Sequence, residues 1–117
     1  MRKISFPYKI KNVFEGFAKA EGILTFDGQN LNLEFQTKDA FVGAIKSEIK
    51  DISIPMSEIA QIDFKEHMLG CSLFIRVARM QSIEDIPKQN AGEIKLSIAK
   101  KHIDLALELM SQVNPKS

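Results

Sequence analysis

The stretch IPMSEIAQIDF, residues 54–64, decides how this chain is read. It runs apolar into Pro55, turns polar at Ser57 and Glu58, and then places Ile59, Ile62 and Phe64 at uneven steps. Proline lacks a backbone N–H and is tolerated where a strand ends, so Pro55 closes one strand. Met56 to Glu58 makes the turn, and the apolar residues after it re-enter a core. The three-residue step from Ile59 to Ile62 breaks strict alternation and predicts a short helical turn or a bulge before the next strand. Ser57 and Glu58 therefore read as a corner between sheets rather than as a loop that carries chemistry.

Both sides of that corner show the period of two that puts apolar side chains on one face of a strand. In GILTFDG, Leu24 and Phe26 point one way and Thr25 the other; Asp27-Gly28 supplies turn chemistry, and NLNLEFQT follows with Leu31, Leu33 and Phe35 in phase. The pair is a hairpin. DISIP contributes Ile52 and Ile54, and AQIDFKE contributes Ile62 and Phe64. CSLFIRVAR turns Leu73, Ile75 and Val77 inward and leaves Phe74 and Arg76 opposite, and EIKLSI repeats the pattern with Ile94, Leu96 and Ile98. The period changes only near the end. In KKHIDLALELMSQV the residues Ile103, Ala106, Leu107, Met110 and Val113 recur at helical steps, with Leu105 and Leu109 widening the stripe and Asn114-Pro115 as a stop. At the start, FPYKIKNVFEGFAK fits an edge strand followed by a helical turn carrying Val13, Phe14 and Phe17. Residues 39–48 fit either a long loop or a short amphipathic helix.

Antiparallel hairpins followed by a single amphipathic helix are the element order of the pleckstrin-homology-like (PH-like) barrels. The segments FDGQNLNLEF, ISIPMSEIAQIDF, LFIRVARM and GEIKLSI, a Gly-centred turn at Gly70 and the closing helix make the chain resemble a small bacterial, GRAM-related PH-like family of single-domain proteins. The resemblance covers roughly residues 20–113. It implies a mainly β fold with one C-terminal α-helix, a partly open antiparallel barrel capped by that helix. Residues 1–117 then form one domain, with 1–19 an extension packing on the barrel. Relatives of this kind bind lipid or protein, or oligomerise, and catalysis is not their usual role. Phosphoinositide-binding members carry Lys and Arg around the first hairpin. Here that hairpin reads Asp27-Gly28-Gln29-Asn30. A phosphate needs cationic or backbone N–H donors, so headgroup binding is not expected there.

The bulk numbers narrow the function classes. A chain of 117 residues supports one domain, and 44% hydrophobic with 26% charged residues is ordinary for a globular fold. Sixteen Lys and Arg against 15 Asp and Glu give a net charge of +1, so no global field advertises nucleic acid. Interleaved aromatics for stacking single strands are also scarce, with no Trp and Tyr8 the sole tyrosine. Basic residues gather only near the start, where Arg2, Lys3, Lys9, Lys11 and Lys19 face Glu15 alone. No apolar run approaches the roughly 18 residues of a membrane span, and no signal-peptide core follows the first residues. A cytoplasmic location is expected.

No catalytic constellation in the sequence is complete. His67 and Cys71 are four residues apart, but Gly70 argues for a turn between them, and a structural zinc site needs about four ligands. A cysteine nucleophile needs a base and oxyanion donors as well. Glu84 and Asp85 are adjacent, and adjacent residues of an extended chain point apart, which suits a solvated loop. The glycines match neither a P-loop nor a dinucleotide fingerprint. No metal, cofactor or catalysis is expected. Two surfaces remain as candidates. Phe41, Val42 and Ile45, together with Phe74, form an apolar set for a protein partner or a homo-oligomer. Lys65, Arg76, Arg79 and Lys95 form a basic face for anionic lipid, blunted by Asp63, Glu66 and Glu93. The first set carries the favoured reading, an interaction module that contacts protein or assembles with itself through β-edges.

Overall fold

Alternation sets the strands, and the computed structural model shows where each inward row meets its neighbour; it describes residues 3–13, 18–39, 49–84, 86 and 91–113. Among these, β1 (Ile4–Val13), β2 (Ala18–Phe26), β3 (Asn30–Asp39) and β4 (Lys50–Pro55) form an antiparallel meander. A second meander holds β5 (Ile59–His67), β6 (Gly70–Val77) and β7 (Glu93–Ala99). The two halves join where β1 meets β7, at the register pair Lys9–Ser97 among the described residues. The sheet order is β4-β3-β2-β1-β7-β6-β5, so β4 and β5 are its margins among the described residues. Helix α1 (Ile103–Val113) packs chiefly on β5 and β1. The result is a mainly β, partly open antiparallel barrel capped by one C-terminal helix.

The core is the sum of the inward rows. Ile4, Phe6, Tyr8 and Ile10 of β1 face Leu24, Phe26, Leu31, Leu33 and Phe35, and Leu73, Ile75, Ile94, Leu96 and Ile98 complete it from the other half. Burying one such side chain stabilises the fold by about 1.5–3 kcal/mol. The β2–β3 turn has the chemistry its sequence promised. The Asp27 carboxylate accepts the Asn30 N–H at 2.8 Å and the Gln29 N–H at 2.9 Å, while Gly28 takes φ 99°. Those two donors hold the Asp27 carboxyl below its ordinary range.

The corner at residues 54–64 forms as the spacing predicts. β4 ends at Pro55, Met56–Glu58 is one 3-10 turn, and β5 begins at Ile59. The register then slips by one residue between Ile59–Val77 and Gln61–Arg76, leaving Ala60 without an opposite residue. That bulge lets Ile59 and Ile62 both turn inward despite their spacing.

Three expectations change. The first strand is interior, between β2 and β7, and it continues as strand to Val13; four alternating apolar residues earn it two neighbours. The β5–β6 turn is Met68-Leu69, and Gly70 already belongs to β6. The glycine is needed because a Cβ there would collide with the Ile98 carbonyl of β7. In α1 the buried residues are Ala106 and Leu109, whereas Leu107 is 45% exposed. The stripe is rotated towards Leu105 and Leu109, because the helix meets β5 and β1 together, with further contacts on β6 and β7 between them. Phe14, Phe17 and nearly all of residues 39–48 lie outside the described residues.

Candidate interaction surface

The cations singled out in the sequence do not assemble into one free face. Lys65, Arg76 and Lys95 do share the outer face of β5–β7, with Phe74 among them. Yet Arg76 pairs with Glu93 directly across the strand at 3.3 Å, and Asp63 stands opposite Phe74. Lys95 lies over the Phe74 ring, its Nζ 5.9 Å from the centroid. That contact covers part of the ring and explains why Phe74 is half-buried. Arg79 lies past the end of β6 and pairs with Glu58 at 3.7 Å. Glu58 is thereby accounted for. Its other carboxylate oxygen accepts the Ser82 hydroxyl at 2.6 Å, and its carbonyl accepts the Ala78 N–H at 2.8 Å. Glu58 staples the corner to the segment after β6. Phe41, Val42 and Ile45 lie outside the described residues.

His67 and Cys71 are not a pair. Cys71 sits in the core, where burial and the nearby Glu66 carboxylate push its thiol up. A thiol held protonated is a poor nucleophile. His67 is on the outer face, its Nε2 3.4 Å from the Ser72 hydroxyl. No group of three metal-ligating side chains occurs among the described residues. Nor is any helix among them long and apolar enough to cross a membrane.

A different surface stands out. A groove of about 530 Å³ opens at the seam between the halves, on the outer face of β1–β3. Its walls include Ile23, Ile49 and Leu69, all exposed, and the lysines Lys9, Lys11 and Lys101. No ion pair among the described residues involves these three lysines. Beside the groove and sharing Ile23 and Glu34 with it is a smaller pocket of about 250 Å³ that adds Asp27 and Asp51. Register puts Pro7, Ile23, Glu34 and Asp51 in one row across β1 to β4. The outer face thus carries Lys9 and Lys11 on β1 and the carboxylates Glu21, Glu34 and Asp51 on β2, β3 and β4, with Lys3 beside Asp27 in the smaller pocket and Ile23 near the middle.

Beneath this row the backbone is unusually close. The Glu34 carbonyl occupies the space where a Cβ on Gly22 would stand, and the Tyr8 hydroxyl donates to that same oxygen at 3.2 Å. Gly22 lies between Tyr8 and Phe35 in register, and its missing side chain makes room for the β3 backbone at Glu34 and Phe35.

Alternation alone marks Ile23 as an apolar residue at an outward position of β2, which was the available signal for this face. The meeting of β1 with β7 has no such signal, since the two strands lie at opposite ends of the chain. No family model, no curated protein and no solved structure matches the chain.

Proposed function

We propose that this protein is a non-catalytic, PH-like interaction module that works through protein–protein contact or self-assembly. The observation that carries the reading is the gathering of Ile23, Ile49 and Leu69, exposed, in one groove beside lysines that form no ion pair among the described residues. Exposed apolar clusters rimmed by polar groups mark contact surfaces. The element order, the open sheet and the helical cap support the PH-like assignment. The engaged state of Arg76, Arg79 and Lys95 speaks against the outer face of β5–β7 as the main anion-binding surface.

Light scattering across micromolar concentrations tests the reading. The expected result is a mass above the 13.2 kDa of one chain, or a stable partner in pull-down, lost in the double variant Ile23→Ser/Leu69→Ser. A strict monomer with no partner counts against it. The second reading, binding to an anionic lipid surface, is favoured by one feature. The β5–β6 tip presents Met68 and Leu69 at 87% and 78% exposure, with Lys101 beside Leu69 in the groove wall. Sedimentation with phosphatidylserine vesicles at low salt, without self-association, would select that reading instead.

A further inference from the structure

The outer face of β1–β4 has the charge pattern of a surface that fits its own copy. Lys9 and Lys11 project from β1, and Lys101 stands beyond it; Glu34 projects from β3 and Asp51 from β4. All five are exposed, and none forms an ion pair within the described residues. Ile23 lies between the two charges, 46% exposed on an interior strand. A twofold contact needs this arrangement, because each patch must meet the other patch of an identical chain. We propose that the protein self-associates as a twofold dimer through this face. The inference rests on the interaction-module reading and names its partner as a second copy.

An axis through Ile23 sets that side chain against its own copy. It lays β1 over the partner's β3, and brings Lys9 and Lys101 to the side where the partner presents Glu34 and Asp51. Four strands about 4.8 Å apart and about eight residues at 3.3 Å give a face of about 500 Å² per copy. Two faces total about 1,000 Å², at the lower edge of specific interfaces. The dimer is accordingly reversible, with its specificity set by charge rather than by area.

Charge reversal followed by mixing tests this. Lys9→Glu/Lys101→Glu places acid against acid at both ends of the contact, and Glu34→Lys/Asp51→Lys places base against base. Each variant alone is expected to sediment as a monomer where the wild type dimerises, its dissociation constant raised at least about tenfold. Mixed in equal amounts they are expected to form a heterodimer, because both contacts become complementary again. Poor folding does not produce rescue by mixing, and circular dichroism of each variant checks its fold directly. Lys65→Glu/Arg76→Glu, on the outer face of β5–β7, is expected to leave dimerisation unchanged. Folded variants that fail to associate on mixing overturn the dimer. So does wild-type association indifferent to both reversals, although the module reading then survives. Absence of any association or partner overturns both. Wild-type monomers that bind a labelled (Glu-Leu)4 peptide in the groove would show that its partner is an acidic segment, not a second copy.

Discussion

At Tyr8 a phenol is buried beneath the outer face, with its hydroxyl on the Glu34 carbonyl and the Glu34 and Asp51 carboxylates nearby. Burial first, and then those two negative charges, push its ionisation well above the ordinary value. The sign of the linkage follows. Below pH 10 both folded and unfolded chains keep the proton, and the contribution is intact. Above it the unfolded chain ionises while the folded chain does not, so stability falls as pH rises. The slope approaches about 1.4 kcal/mol per pH unit. Because Tyr8 is the only tyrosine, its tyrosinate absorbance should appear together with unfolding and not before. Urea titrations above pH 10 should show this slope in the wild type and lose it in Tyr8→Phe. The same substitution at neutral pH should cost about 1–2 kcal/mol by leaving the Glu34 carbonyl without its donor. A native tyrosinate signal well below the unfolding pH would contradict the buried geometry. Neither the hydrogen bond nor the role of Gly22 is legible in the sequence, since both depend on where β3 crosses β2.

Among the elements, the strands were the most legible. Leu24 with Phe26, Leu31 with Leu33, and Leu73 with Ile75 announce their faces by alternation, and the structure buries all six. The corner at 54–64 was legible too, because proline and an uneven apolar step are local signals. α1 was legible as a helix but not in its rotation. Its sequence offers Leu105, Leu107 and Leu109 in succession, and only the neighbour decides which is covered. Leu109 is fully buried and Leu107 nearly half exposed. Leu109→Ala should therefore destabilise the fold by about 2–5 kcal/mol. Leu107→Ala should change stability by no more than about 0.5 kcal/mol. Equal losses in chemical denaturation would mean that the helix sits in a different rotation. The place of β1 in the sheet is illegible for a similar reason. Its pattern names an inward face but is silent about how many neighbours pair with it.

For the whole molecule, the decisive fact is which charges meet inside one chain. Arg76 with Glu93 and Arg79 with Glu58 are paired at 3.3 and 3.7 Å, so the net charge of +1 hides an uneven surface. On the outer face of β1–β4, Lys9, Lys11 and Lys101 lie to one side of Ile23 and Glu34 and Asp51 to the other, none of them in an ion pair among the described residues. Association through them should weaken with salt, since screening shortens from about 10 Å at 0.1 M to about 3 Å at 1 M. Sedimentation at rising sodium chloride should shift the mass towards one chain, whereas a contact dominated by apolar burial would strengthen or hold. Composition, alternation and the Pro55 corner by themselves determined a mainly β fold with a C-terminal helix, because these depend on backbone periodicity and on residues adjacent in the chain. The tertiary structure alone decided the seam between β1 and β7, the rotation of α1, and the split of charge across β1–β4. Each of these brings together side chains far apart in sequence, and no local pattern encodes their meeting.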